Sequence, residues 1–272
     1  MNIKLFFSLA CLTIHPTVNK NIPAATIKKN SYTELQCHKA SAFVKKVYVY
    51  YIIPKNKKES EDYKTAIKNN ILHVQNWYEE QLGKTFILAI PVVQVLRSEH
   101  DDSWYSANPN NSQLFFQFWE NVINDAAAIT PEAKAADDRI NIFYVDAHSA
   151  CKQCGGCGNP GNVVIAANDL RGMIGDSWIP GCPGENYSFK PCRFSGGLAH
   201  ELGHAFGLPH PPDEESKGRV MGSGFYDYPG CILSSGEKEK LLVSDWSNAF
   251  FTEGITTKSF DCGNLVNTVN HP

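Results

Sequence analysis

The sequence predicts an α+β fold, in which a mixed, twisted sheet packs against helices and a small C-terminal lobe follows. Two observations predict it. Strand-like and helix-like runs alternate over residues 44–168 and lead into a glycine-rich helical segment, and only short elements come after that segment. Strands and helices mixed in this way form a sheet covered by helices. A chain of 272 residues, 43% of them hydrophobic, is long enough to bury a sizeable core.

The first elements are a strand, a long helix and a second strand. Residues 44–53 are rich in β-branched and aromatic side chains, which favours a strand. Residues 59–82 carry apolar side chains at helical spacing, and Gly83 closes that helix. Residues 86–96 read as a further strand, in which Pro91 predicts a bulge or an edge position.

The later elements follow from the same patterns. They are a helix at 113–129, a buried strand at 140–145, and a strand at 162–168 after a cysteine-rich loop. Near the end of the chain, Ser234 or Ser235 is a suitable cap for a helix at 237–246.

The most informative segment begins at His200 and reads His-Glu-Leu-Gly-His-Ala-Phe-Gly-Leu-Pro-His. On a helix, His200 and His204 project from the same face because they lie about one turn apart. Gly207 can adopt a left-handed conformation and end the helix, and the turn brings His210 back as a third ligand. Three protein ligands leave the fourth position of a tetrahedral zinc ion for water, which is typical of a catalytic site.

Glu201 is the candidate catalytic residue of this segment. It lies beside the face that carries the histidines, where its carboxylate can reach a metal-bound water without being a ligand. A carboxylate in that place can take the proton of the attacking water and pass it to the leaving amine.

The helix that carries these residues has one weak point. Ser195 is a suitable N-cap, and apolar residues follow it at helical spacing. However, Gly196, Gly197 and Gly203 each cost about 1 kcal/mol relative to alanine within a helix. We therefore expect close packing against this helix to offset that cost.

The segment resembles a known group of enzymes. It matches every fixed position of the extended zinc motif of the metzincin metallopeptidases, H-E-x-x-H-x-x-G-x-x-H. The stretch 219–224, Arg-Val-Met-Gly-Ser-Gly, resembles the Met-turn of that group, with Met221 as its methionine. The resemblance covers residues 194–230, and upstream of them it is one of element order only. No subfamily is assigned, because two features disagree. A proline directly after the third histidine, here Pro211, resembles the serralysin sequence. The tyrosine that serralysins and astacins carry two residues after the methionine is missing.

The resemblance implies a zincin or metzincin-like fold with a backing helix and an active-site helix. It implies a zinc-dependent endopeptidase that binds one catalytic Zn²⁺ through His200, His204 and His210. Glu201 would be the general base and acid, and Met221 would lie beneath the metal. Two nearby tyrosines, Tyr226 and Tyr228, are candidates either for stabilising the transition state or for a purely structural role in the turn.

The resemblance also implies where a peptide substrate lies. The strand at 162–168 would be the edge of the sheet, to which a peptide adds itself through main-chain hydrogen bonds. The residues of that edge would be Val163, Val164, Ile165 and Ala166. A plain internal strand is the alternative.

Cysteine usage favours an oxidising compartment. The chain has nine cysteines, and eight remain if Cys11 is removed with a leader. An even number suggests up to four disulfides, whose pairing the sequence does not reveal. The candidates are Cys37, Cys151, Cys154, Cys157, Cys182, Cys192, Cys231 and Cys262. The alternative for the cluster at Cys151–Cys157 is a second zinc site completed by His148.

The N-terminus resembles an export signal. Lys4 precedes an apolar run of signal-peptide length, which predicts a signal peptide at residues 1–24 and a secreted protein. A faint lipobox at Cys11 makes a lipid anchor at the cell surface the alternative. Residues 25–43 would be an extension or a short pro-segment. The catalytic domain would then span 44–272, with an N-terminal lobe at 44–207 and a C-terminal lobe at 208–272.

Composition and net charge limit the classes of molecule that the protein is expected to bind. The formal net charge of −3 offers no basic field for nucleic acid or an anionic membrane, and we expect no membrane span. We therefore expect a monomer that acts on a protein or peptide. Two alternatives stay open: a zinc hydrolase restricted to one short sequence or a cell-wall peptide, and a zinc-stabilised binding protein or adhesin that keeps the motif without proteolysis.

Overall fold

The structure is a computed structural model that describes residues 45–185, 189–254 and 261–266. The predicted signal peptide at 1–24, with Cys11, and the predicted extension at 25–43, with Cys37, lie outside the described residues. None of the helices in the described part of the chain is both long and apolar enough to span a bilayer.

A mixed sheet forms the centre of the fold. Its strands are β1 (Lys46–Ile53), β2 (Lys84–Leu88), β3 (Gln94–Arg97), β4 (Arg139–Val145), β5 (Gly156–Asn159), β6 (Asn162–Ile165) and β7 (Phe251–Glu253). The strand order is β5-β6-β4-β1-β2-β7, and β3 also pairs with β1. The pairs made by β1, and that between β4 and β6, are parallel. The two outer pairs, β5 with β6 and β7 with β2, are antiparallel.

Helices cover both faces of this sheet. They are α1 (Glu61–Leu82), α2 (Asp102–Ala107), α3 (Leu114–Ile129), α4 (Ala167–Met173), α5 (Cys192–Ala205) and α6 (Ser235–Val243). Side chains of β1 alternate between the two layers: Val47 and Val49 pack with α1 and α5, whereas Tyr50 and Ile52 pack with α3. The structure confirms the predicted α+β class.

The long helix α1 backs the helix that carries the zinc motif. Ser60 caps its start by accepting a hydrogen bond from the Tyr63 N–H, and Gly83 ends it in a left-handed conformation at φ 67°. The Tyr78 hydroxyl donates to the Ala199 carbonyl at 2.9 Å, in a fully buried position. This hydrogen bond ties the backing helix to α5.

The strand predicted at 86–96 is in fact two strands. β2 pairs with the start of β1, and β3 pairs with its end. The chain leaves the sheet between them, where Pro91 has no N–H to donate to a ladder and Ile90 is 83% exposed. The single-strand prediction was wrong because both halves carry strand-like side chains. The short helix α2 was not predicted.

The edge strand was also placed wrongly. β6 lies between β4 and β5, and its side chains Val163, Val164 and Ile165 are buried, so it is an internal strand that ends before Ala166. The edge is β5, whose sequence Gly-Cys-Gly-Asn carries no β-branched residue and therefore no strand signal. Its main-chain pairing with β6 defines it.

Six cysteines of the described part pair as disulfides, namely Cys151–Cys182, Cys154–Cys157 and Cys192–Cys262. Cys231 is a buried free thiol among apolar side chains, so it forms no disulfide with another described cysteine, contrary to its place among the candidates. The disulfides use the sulfurs of the cluster at Cys151–Cys157 and leave it no thiolate for a zinc ion. The second-zinc alternative is therefore wrong.

Candidate metal centre

The helix α5 places the motif, and it begins earlier than predicted. It starts at Cys192 after Pro191, so Ser195 is a buried interior residue and not the N-cap. Pro191 fits a helix start because a proline there has no orphan N–H to satisfy.

The glycines of α5 allow close packing, as expected. A Cβ atom at Gly203 would overlap the sulfur of Met221, and one at Gly196 would overlap the main-chain carbonyl of Phe225. The loop that follows the motif therefore lies directly on α5. The fully buried Met221 lies beneath the helix and, with His200 and His210, borders a cleft.

Three imidazoles converge at one point. The Nε2 atom of His200 lies 3.2 Å from those of both His204 and His210, and the last two are 3.0 Å apart. Gly207 adopts φ 95° after the helix, and this turn returns His210 to the other two. Among the described residues, this is the group of side chains that can hold a metal ion.

Main-chain carbonyls orient two of the rings. Nδ1 of His200 donates to the carbonyl of Val220, and Nδ1 of His204 donates to that of Leu208, both at 2.7 Å. Burial lowers the pKa of His200 to about 4, and burial also lowers that of His204. Both rings are therefore neutral near pH 7, with the Nε2 lone pairs directed at the point of convergence.

This donor set fits a zinc ion. Neutral imidazoles whose lone pairs meet at about 3 Å repel one another unless a cation lies between them. Zinc–nitrogen bonds of about 2.0–2.1 Å would place the nitrogens of a tetrahedral site roughly 3.3 Å apart, close to the spacing observed.

Glu201 lies beside the three histidines, and the edge strand β5 contacts it from the other side. The Gly158 main-chain N–H donates to the Glu201 carboxylate. Burial raises the pKa of that carboxyl to about 8, and Asp169 adds to the rise, whereas the Gly158 hydrogen bond and Arg193 oppose it. A Cβ atom at Gly158 would overlap the main-chain carbonyl of Glu201, so β5 and α5 touch through their backbones.

The two candidate tyrosines have different surroundings. Tyr226 is 53% exposed and lines the cleft beside His200 and His210. Tyr228 is buried, with its ring 5.7 Å from that of Trp77 in the core. Tyr228 was therefore a wrong candidate for contact with substrate, because core side chains enclose it.

The site contains residues that the sequence reading missed. Gly158 contacts Glu201, and Arg193 pairs with Asp169 next to it. Arg193 lies eight positions before Glu201 on the same face of α5. In a helix that begins at Cys192, this spacing indicates that the two side chains lie on the same side of the helix. Nothing local to Asp169 indicates its partner.

Comparison with known proteins supports the fold. No family model and no curated protein matches the sequence. Solved structures do match, among them the catalytically inactive OgpA from Akkermansia muciniphila in complex with an O-glycopeptide substrate, glycodrosocin. The TM-score is 0.51 at 15% identity, and the match covers 76% of this chain and 61% of the OgpA chain.

A second match is archaemetzincin from Methanopyrus kandleri, with a TM-score of 0.39 at 15% identity over 74% of this chain and 94% of that one. This chain spans only about 61% of the length of the OgpA chain that it matches. At this identity the likeness is one of fold alone.

Proposed function

We propose that the protein is a secreted, zinc-dependent endopeptidase of the metzincin type. The observation that carries the proposal is the convergence of the three Nε2 atoms at 3.0–3.2 Å beside a half-buried glutamate that does not belong to the histidine group. A purely structural metal site has no use for that glutamate. The OgpA structure, solved with an O-glycopeptide, supports action on peptides.

His200, His204 and His210 would hold the zinc ion. When bound, zinc would lower the pKa of a water molecule towards ~7 and polarise the scissile carbonyl. The carbonyls of Val220 and Leu208 keep two of the rings in the orientation that presents Nε2. No covalent acyl-enzyme is required, and no serine nucleophile enters the proposal.

Glu201 would move the proton. Its carboxylate takes the proton from the attacking water and later gives it to the leaving amine. Burial raises the pKa of Glu201 in the metal-free protein, and a zinc ion beside the carboxylate would lower it again. The carboxylate would then be able to accept a proton from water near neutral pH. The Gly158 N–H orients the carboxylate for this exchange.

The substrate would lie along β5. This strand has β6 on one side only, and an extended peptide would pair with the main-chain groups on its other side that Glu201 does not already use. Because Gly158 contacts Glu201, a peptide paired with β5 passes directly over the carboxylate. The exposed Tyr226, which borders the same cleft as His200 and His210, is the remaining candidate for contact with the reacting carbonyl.

Export is a further part of the proposal. Three disulfides among the described residues are consistent with an extracellular protein. We propose cleavage after the leader at 1–24 and a catalytic domain at 44–272, which N-terminal sequencing of the secreted protein would test.

The substitution Glu201→Gln tests the mechanism. We expect this variant to keep one zinc ion per chain and to lose hydrolysis of casein and of an O-glycopeptide panel by at least about 10²-fold, because the proton carrier is gone. Metal content and cleavage should be measured on the same preparation. Cleavage by Glu201→Gln at the wild-type rate would overturn the mechanism. If the wild-type enzyme cleaves the glycopeptides but not casein, that result would favour a peptidase restricted to glycosylated substrates.

A further inference from the structure

A cavity of about 250 Å³ opens on the side of Glu201 away from the three histidines. It has room for roughly eight water molecules, which suits one amino-acid side chain. Its walls are the loop at 149–156, the start of α4, the loop at 178–185 and one face of α5. The Cys151–Cys182 disulfide joins the two loops across the cavity.

An ion pair lies uncovered in this cavity. Arg193, Gly197 and Glu201 follow one another at four-residue intervals and therefore share a face of α5. Nη1 of Arg193 donates to Oδ1 of Asp169 at 3.0 Å, and both side chains are largely buried. A Cβ atom at Gly197 would lie 3.3 Å from Nη1 and 3.7 Å from Oδ1, so a larger residue there would cover the pair.

The guanidinium of Arg193 has more N–H donors than Asp169 uses. Arginine has five N–H groups, and Asp169 accepts from one nitrogen. Nε of Arg193 is buried and has no hydrogen-bond partner among the described residues. Aromatic rings hold the cation in place at 4.9–5.8 Å from their centroids, namely those of Phe189, Phe194, Phe225 and Tyr226.

The acidic groups of the cavity already have partners. Asp169 pairs with Arg193, Oε2 of Glu185 accepts the N–H groups of Gly181 and Cys182 at 2.8 and 3.0 Å, and the Glu201 carboxylate accepts the N–H of Gly158. Lys152 adds a second cation to the lining. The polar capacity left for a ligand is therefore mainly that of hydrogen-bond donors with positive charge, which a carboxylate satisfies best.

Two arguments place the side chain of the substrate residue after the scissile bond in this cavity. A peptide that pairs antiparallel with β5 runs from Asn159 towards Gly156, and Gly156 lines the cavity. Glu201 gives its proton to the leaving amine, which belongs to the residue after the scissile bond. Since Glu201 also borders the cavity, both arguments point to the side chain of that residue.

We propose that this cavity selects a residue with a carboxylate side chain directly after the scissile bond, and that Arg193 is the specificity-determining residue. This inference rests on the proposed peptidase function. Trp178 and Phe225, which also line the cavity, would pack against the methylene groups of the bound side chain. A glutamate would form two hydrogen bonds with the guanidinium while Asp169 keeps its own.

Peptides that differ only at this position test the proposal. With Glu, Gln, Leu or Lys there, we expect kcat/KM of the wild-type enzyme to be at least tenfold higher for Glu than for the other three. In Arg193→Gln, the value for Glu should fall at least tenfold more than the value for Leu, so that the preference between the two peptides is lost. Arg97→Gln, which removes an arginine paired with Glu59 on the surface, should leave the preference unchanged. A wild-type preference for Leu, or an equal loss for all peptides in Arg193→Gln, would overturn the proposal.

A binding measurement separates this proposal from the peptidase function. If no peptide is cleaved, the function fails, and fluorescence anisotropy on Glu201→Gln still reports which peptide binds tightest. Tighter binding of the Glu peptide supports the role of Arg193, and equal binding of all four refutes it. If Arg193→Gln does not fold, Arg193→Lys keeps the charge without the planar fork, and we expect a preference for Glu that is weaker than in wild type.

Discussion

At the scale of single residues, the site separates the three histidines that could hold a metal ion from the carboxylate that we propose moves the proton. The three histidines present Nε2 to one point, whereas the carboxylate of Glu201 faces the N–H of Gly158 in the edge strand. Burial acts on both kinds of group in the direction of the neutral form. For the imidazoles, the neutral form is the one that can bind a metal ion.

The pH dependence of stability in the metal-free protein tests the burial of His200. Its pKa is about 4 in the folded protein and about 6.5 in an unfolded chain, so the unfolded state binds more protons between these values. The contribution of His200 to stability is therefore fully present above pH 6.5 and is lost as the pH falls towards 4, by roughly 3 kcal/mol. The lowered pKa of His204 adds to the same slope. The raised pKa of Glu201 acts in the opposite direction between about 4.5 and 8, so the comparison with a His200 variant isolates the contribution of His200.

Urea denaturation after chelation, repeated from pH 7.5 to 4, measures this slope. Relative to wild type, His200→Asn should gain roughly 3 kcal/mol of stability as the pH falls from 6.5 to 4, because the substituted side chain does not titrate. An unchanged slope in that variant would show that other groups cause the pH dependence.

At the scale of elements, contact between α5 and β5 decides whether Glu201 is in place. The contact is made by backbones, since Gly158 has no side chain to separate them. β5 itself is short, and it is held by β6 and by the Cys154–Cys157 disulfide at its start. The position of the Glu201 carboxylate thus depends on a strand that has little strand propensity of its own.

Gly158→Ala tests this contact. Its Cβ would overlap the Glu201 carbonyl, so β5 must move away from α5, and we expect a loss of about 1–3 kcal/mol of stability together with a large loss of peptide hydrolysis. Gly156→Ala is the matched control in the same strand, because a Cβ there meets nothing within 4 Å. The change in the free energy of unfolding should be small for the control. Equal effects of the two substitutions would contradict the proposed contact.

At the scale of the whole molecule, the metal should tie together segments that are distant in sequence. His200 and His204 lie on α5, and the carbonyl that orients His200 comes from Val220 in the loop beyond His210. β7 then returns the C-terminal part of the chain to the sheet beside β2. An ion that binds only the folded chain stabilises all of these connections at once.

Removal of the metal tests this coupling. Chelation should lower the melting temperature, and one equivalent of Zn²⁺ should restore it, since binding to the folded state alone shifts the equilibrium by mass action. Differential scanning calorimetry on wild type and His204→Ala measures the effect. We expect the variant to show little response to zinc, and a full response in it would contradict the assigned ligands.

The sequence predicts local features well and contacts between distant segments poorly. The spacing of His200, Glu201 and His204 depends only on helix geometry, and Gly83 ends α1 as its position predicts. The edge role of β5 and the pairing of Asp169 with Arg193 depend on which strands and helices become neighbours. No local residue pattern encodes those neighbours, so the edge was assigned to the more hydrophobic β6.

The most direct test of the central claim is X-ray absorption spectroscopy at the zinc edge, with metal analysis, on active protein. We predict one zinc ion per chain, bound by three imidazole nitrogens and one oxygen of water at about 2.0–2.2 Å. Sulfur ligands, fewer than three imidazoles, or full peptidase activity in protein that holds no metal would contradict the account.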